Sequence, residues 1–262
     1  MNPLPSLTSK ITKKRYGTAE NPGLMQDYIG IRVALYFSDD LDIAMKIVGH
    51  LFAEVGQSID SPTESTFMPV RCNIIYQLPA EQHAQVSIFA LKEKFPIDKT
   101  FEVQFRTILS EGWHEVEHDL RYKCEADWKN AFELSRSLNG VMATLETCDW
   151  SMIQIFEQLS YRCYKKRAWL PMLRHKMRMR MGFQPISEEI ATYLNENQVI
   201  AKRLYRADRR RLLTKLMESG ISIPLIPDNV IFLINHFIVR DEALAKLAPD
   251  LIRELLDPVT EQ

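Results

Sequence analysis

Every segment read as a β-strand lies in the first half of this chain, and that one-sidedness is the feature that most limits its fold. From Asp127 onward no stretch is read as a strand. Asp127 to Arg167 has helical spacing instead, with Leu134, Leu138, Met142 and Leu145 on one face and Cys148-Asp149 as the place where a break would fall. Pro171, the Gly182–Pro185 turn and Pro224-Leu225-Ile226-Pro227 punctuate the remainder of the chain. Helices are expected over 171–181, 187–218 with a bend, 228–238 and 241–256.

The first half is mixed. Ser6 to Arg15 reads as a short basic helix, and Tyr28 to Phe37 (YIGIRVALYF) as a buried strand. Ser38-Asp39-Asp40 offers caps for a helix from Leu41 to about Val55, followed by a polar loop from Ile59 to Phe67. Arg71 to Leu78 and Gln85 to Leu91 read as strands joined by a turn at PAEQHA. Thr100 to Arg106 (TFEVQFR) alternates as a fourth strand, and Leu109 to Lys123 follows as a helix. The expected fold class is α+β: a small mixed sheet flanked by helices over residues 1–125, then an all-α extension over 126–262.

Composition narrows the setting. No apolar run approaches the roughly 20 residues that span a bilayer, and the N-terminal MNPLPSLTSKITKKRYG has no apolar signal-peptide core. The cysteines, Cys72, Cys124, Cys148 and Cys163, show no metal-binding spacing. These features predict a cytoplasmic chain with reduced thiols and no membrane partner. The net charge of −1 hides a polarity: residues 162–215 hold 15 Lys/Arg against 4 Asp/Glu, and the remainder 18 against 30. The basic stretch reads as a surface for an anionic partner, as an element that docks on the acidic half or forms a homo-oligomer, or as solvated helix faces.

Candidate chemistry concentrates at two places. Asp27 immediately precedes the Tyr28 strand, and Arg32 follows five residues later. Glu102, Gln104 and Arg106 share one face of the Thr100 strand because side chains alternate with period 2. Two carboxylates on neighbouring strands can share Mg²⁺, and guanidinium forks suit phosphate oxygens. An exposed sheet face with cross-strand Glu–Arg pairs explains the same residues. The helix after the strand contains His114-Glu115-Val116-Glu117-His118, a form of the HExxH zinc motif, but no third ligand follows at close spacing.

The stretches DYIGIRVALYFSDDL and FEVQFRTILSEGWHEVEHDLRYK resemble the RelA/SpoT alarmone synthetase family. That family shows a D-x-x-G-x-R strand start, an E-[IV]-Q-x-R-T strand and a W-x-x-x-E-H-x-x-x-Y-K helix, all present here in order. The resemblance covers about residues 5–125 and implies a nucleotidyltransferase domain that moves the β,γ-pyrophosphate of ATP to a ribose 3′-hydroxyl, usually of GDP or GTP. It implies Mg²⁺ on Asp27 and Glu102, and Lys10, Lys14 and Arg32 toward the ATP phosphates. Gln104, Arg106 and His118 would line or brace the acceptor side. The family's G-Y-x-S-x-H acceptor loop is replaced by Met68-Pro69-Val70-Arg71-Cys72-Asn73. Phe67, the nearest aromatic, reads as a core residue or as a stacking surface for the acceptor base, and Arg71 offers a cation or a planar stacking surface. The resemblance leaves three functions to separate: a synthetase of guanosine alarmones, a toxin that modifies the tRNA 3′ end and grips tRNA through the basic helices, and a nucleotide sensor without turnover.

Overall fold

The computed structural model describes residues 4–59, 72–93 and 95–256. The chain divides into two compact units, residues 1–150 and 151–262. The first holds helix α1 (Leu4–Lys14), strand β1 (Gly30–Leu35), helix α2 (Leu41–Leu51), strands β2 (Glu54–Ile59) and β3 (Cys72–Gln77), helix α3 (Ala80–Glu93), strand β4 (Thr100–Thr107) and helix α4 (Ile108–Glu117). A single wide π-turn over His118–Tyr122 continues α4, and a one-turn helix α5 (Glu125–Trp128) leads into the long helix α6 (Phe132–Lys165), which crosses the division between the units.

Among the described residues the strands form one sheet in the order β1-β4-β3-β2. β1 runs parallel to β4, whereas β4–β3 and β3–β2 are antiparallel, so the sheet is mixed. Alternation gives it two unlike faces. Cys72, Ile74 and Tyr76 on β3 and Phe101, Val103 and Phe105 on β4 are buried on one side, against Leu7 and Ile11 of α1, Ala44, Met45 and Val48 of α2, and Val86 and Ala90 of α3. The residues between them, Asn73 and Ile75 on β3 and Glu102, Gln104 and Arg106 on β4, project to the other face. One face is the core; the other is free to be a site.

Three expectations fail in this unit. β1 is not buried: its residues are exposed or half-buried, with Ile31 46% exposed, because it lies at the edge of the sheet among the described residues. Gln85–Leu91 is the body of helix α3, and PAEQHA contains its first turn. The run Val-Ser-Ile-Phe-Ala-Leu has strand composition but helical use: Val86 and Ala90, four apart, face the core while Ile88 is 67% exposed. The helix expected to reach about Val55 ends at Leu51, and Glu54–Ile59 is β2; beyond Ile59 the expected loop lies outside the described residues. The residues of β2 are mostly exposed, so it lacks the alternation that marks a half-buried strand, and the ladder with β3 makes it a strand.

In the second unit, helices α7 (Trp169–Met177), α8 (Glu188–Glu196), α9 (Gln198–Tyr205), α10 (Arg209–Ser219), α11 (Pro227–Ile234), α12 (Glu242–Lys246) and α13 (Asp250–Leu256) surround a core that includes Leu173, Met177, Leu194, Leu204, Leu212, Ile231 and Leu244. The expected helix over 187–218 is three helices. Asn197 leaves helical geometry at φ −109°, ψ 69°, and Asp208 caps α10 by accepting from Arg211 N at 2.6 Å. The expected 241–256 helix is interrupted before Pro249, which lacks the N–H a continuing helix needs. No break occurs at Cys148-Asp149. No described helix is long and apolar enough to cross a membrane.

Candidate active site

The polar face of β4 is built from strand register. Asn73 of β3 sits opposite Gln104, and Ile75 opposite Glu102. Asn73 Nδ2 donates to Glu102 Oε1 at 2.8 Å, and Gln104 Nε2 donates to Glu102 Oε2 at 2.9 Å. Arg106, only 7% exposed, donates through Nη2 to Asn73 Oδ1 at 2.9 Å and through Nη1 to the Phe105 carbonyl at 2.9 Å. Burial pulls the Arg106 guanidinium below the ordinary arginine range, with nearby carboxylates acting against it, yet an arginine stays protonated throughout the working range. Asn73 therefore bridges a carboxylate and a buried cation. Asn73→Leu is expected to destabilise the first unit by about 2 kcal/mol, because it leaves an Arg106 donor unpaired in the interior. Urea denaturation reads the change; a loss under about 0.5 kcal/mol contradicts the bridge.

Asp27 is placed by a second set of bonds. Met25 N donates to the Pro96 carbonyl at 2.8 Å, Asp98 N to the Met25 carbonyl at 2.9 Å, and Glu102 N to the Ile29 carbonyl at 2.9 Å. Thr100 Oγ1 donates to the Gln26 carbonyl at 3.2 Å. With Met25 and Tyr28 buried on either side, the segment is held along the approach to β4, and Asp27 opens into the same cavity as Glu102. The cavity measures about 440 Å³ and is lined also by Lys10, Arg32, Gln104 and His118. Lys10, carried on the flank of α1 between core residues Leu7 and Ile11, ion-pairs with Asp27 Oδ2. Asp27 Oδ1 is buried with no hydrogen-bond partner among the described residues.

A second cavity of about 340 Å³ shares Arg32, Gln104 and His118 with the first. Arg106 and residues of α4 and its π-turn, Glu111, His114, Glu115, Glu117 and Tyr122, complete it. Arg32 stands between the two spaces, ion-paired with Glu111 and Glu115, which lie one turn apart on α4. Partial burial lowers its pKa, but the hydrogen bonds and charges of those two carboxylates outweigh that and raise it. His118 stacks on Tyr122 with ring centroids 5.7 Å apart. Trp113, 4% exposed, donates from Nε1 to the Leu138 carbonyl at 2.9 Å and carries the Arg121 guanidinium 5.5 Å above its ring.

The structure thus brings Asp27, Glu102, Lys10, Arg32, Gln104, Arg106 and His118 around two adjoining cavities. Lys14, on the same helical face as Lys10, is exposed and lines neither. Phe67 and Arg71 lie outside the described residues. Sequence reading missed Asn73 as a bridging residue, and Glu111 and Glu115 as partners of Arg32. The i,i+4 spacing of Glu111 and Glu115 was a usable signal; their pairing with a residue some 80 positions earlier was not. The HEVEH string is divided between regular helix and the π-turn. Among the described residues no group of three or more His, Cys, Asp or Glu is arranged to hold a metal; Asp27 and Glu102 line the first cavity together.

Comparison with known proteins gives one family. The model of the region found in RelA/SpoT proteins matches residues 2–127. No curated protein matches the chain. Among solved structures, small alarmone synthetase 1 from Bacillus subtilis is similar at 22% identity over 59% of this chain and 75% of that one, with a TM-score of 0.42. Small alarmone synthetase 2 from the same organism stands at 19%, 59%, 76% and 0.45. A GTP pyrophosphokinase family protein from Streptococcus pneumoniae stands at 22%, 59%, 71% and 0.40. The match over residues 2–127 makes this segment, the sheet with its flanking helices and both cavities, a RelA/SpoT-type domain.

Proposed function

We propose that this chain is a Mg²⁺-dependent pyrophosphotransferase, which moves the β,γ-pyrophosphate of ATP to the 3′-hydroxyl of a guanosine nucleotide. The observation that carries the reading is the pair of carboxylates, Asp27 and Glu102, on one cavity, with Asp27 Oδ1 buried and without a hydrogen-bond partner among the described residues. A buried carboxylate oxygen without a donor is costly, and a cation is the partner that removes the cost. Mg²⁺ suits one or two carboxylates and completes its shell with water and phosphate oxygens. The residues therefore fit the ion. Asp27 and Glu102 would hold it, and when bound it supplies neutralisation of the charge on the transferring phosphates.

The remaining work falls to the chain's own side chains. The acceptor 3′-oxygen bonds to the β-phosphorus, the bond from that phosphorus to the α,β-bridging oxygen breaks, and AMP leaves. Such a transfer depends on positioning and charge neutralisation. Lys10 and Arg32 face the ATP phosphates, and Arg32 exchanges its α4 carboxylates for phosphate oxygens. Glu102 takes the hydroxyl proton. Asn73 and Gln104 hold its two oxygens and so fix its orientation. The second cavity, lined by Gln104, Arg106 and His118, receives the acceptor.

Incubation with γ-³²P-ATP, Mg²⁺ and either GDP/GTP or bulk tRNA tests the proposal. Label on the guanosine nucleotide is the expected result. Label on tRNA alone would make the chain a tRNA-modifying enzyme that uses the basic residues of 162–215, and binding of ATP without transfer would make it a sensor.

A further inference from the structure

Within the first unit, α4 and its π-turn are fastened to α6 at three levels. Thr107 Oγ1 donates to Asp149 Oδ2 at 2.8 Å, Trp113 Nε1 donates to the Leu138 carbonyl at 2.9 Å, and Arg121 Nη1 donates to Asn139 Oδ1 at 2.8 Å. The first of these lies at the root of the helix. Thr107 ends β4 and caps α4: its hydroxyl accepts from Ser110 N at 3.1 Å, and its own N–H donates to Ser110 Oγ at 3.0 Å. With the hydroxyl already accepting from Ser110, its proton is directed to Asp149. Thr107 and Asp149 are 3% and 4% exposed, and Asp149 Oδ1 is buried without a hydrogen-bond partner among the described residues.

A carboxyl in such a place is a poor choice for packing alone, because burial of a half-satisfied polar group costs stability. What it touches is the hinge between the two halves of the site. β4, on one side of Thr107, bears Glu102, Gln104 and Arg106; α4, on the other, bears Glu111, His114, Glu115 and Glu117. We propose that Asp149 is a positioning residue, which sets through Thr107 the direction in which α4 leaves β4 and so the shape of the acceptor-side cavity; its kinetic part rests on the proposed function. Burial pushes the Asp149 carboxyl above the ordinary aspartate range, with the Thr107 hydrogen bond acting against it. Desolvation and the neighbouring Asp149 charge push Glu146 upward as well. Asparagine keeps the shape of the side chain and an oxygen that accepts from Thr107.

Asp149→Ala, Asp149→Asn and Thr107→Val are compared with wild type by amide hydrogen exchange and steady-state kinetics. Faster exchange across residues 108–117 in Asp149→Ala, restored in Asp149→Asn, is expected. The acceptor KM is expected to rise about tenfold in Asp149→Ala, the loss of one buried hydrogen bond at 1.4 kcal/mol per decade. ATP KM is expected to stay within about twofold. Thr107→Val removes the Asp149 bond and the cap to Ser110 together and is expected to exceed the alanine effect, and Asp149→Leu stands in should Asp149→Ala fail to fold. Unchanged exchange in α4, an asparagine variant no better than alanine, or an equal rise in both KM values overturns the proposal. Absence of transfer in wild type counts against the function alone, and the exchange pattern then decides the role of Asp149.

Discussion

Asp27→Asn is expected to slow pyrophosphate transfer by about 10³-fold while changing folding stability by less than about 1 kcal/mol. The two figures part because the residue stands at a surface cleft. Its side chain is 30% exposed and its ion pair with Lys10 is 32% exposed on the other side, so the pair contributes little to folding. Its buried oxygen, without a hydrogen-bond partner among the described residues, is by contrast the point at which a cation would be held. Glu102→Gln is expected to match the loss of transfer. It also disturbs structure slightly, since the new amide nitrogen faces Nδ2 of Asn73 or Nε2 of Gln104, both donors. Rate measurements at saturating ATP alongside urea melts separate chemistry from folding. A loss of transfer below about tenfold in Asp27→Asn removes this residue from the centre.

Trp113→Ala is expected to destabilise the first unit by about 4 kcal/mol, a drop of roughly 10 °C in Tm for a unit of this size. The ring is nearly fully buried, its N–H is satisfied by the Leu138 carbonyl, and Arg121 lies over its face. Alanine removes all three contacts and leaves a cavity between α4 and α6. Trp113→Phe keeps most of the ring and loses the hydrogen bond, so about 1 kcal/mol is expected there. Thermal unfolding of the two variants checks both figures. Equal losses would place the stabilisation in the N–H contact and not in the ring.

Strands β1, β3 and β4 were legible because each carries a local pattern, an apolar run or strict alternation. The polar stripe Glu102-Gln104-Arg106 was legible for the same reason: period 2 places it on one face without knowledge of any partner. Asn73 was not, because its role comes from β3–β4 register, a non-local fact. Nor was the Arg32 grip by Glu111 and Glu115, which requires α4 to return over β1. α3 misled because Val86, Ile88 and Leu91 suggest a strand, while the Val86–Ala90 face decided for a helix. β2 left no trace because an exposed edge strand has no core face to pattern. In the helical half, the residues that divide 187–218 were visible as Asn197 and Asp208, but a short polar residue in a helical run marks a break only once its cap bond is seen.

The identity of the adenosine product tests the central claim most directly. Wild-type protein with ATP, Mg²⁺ and GDP or GTP is followed by separation of AMP, ADP and the modified acceptor, with and without a chelator. Transfer of pyrophosphate predicts one AMP for each acceptor modified, both lost on chelation and both lost in Asp27→Asn. Release of ADP in place of AMP, or transfer that survives chelation, contradicts a Mg²⁺-dependent pyrophosphotransferase centred on Asp27 and Glu102.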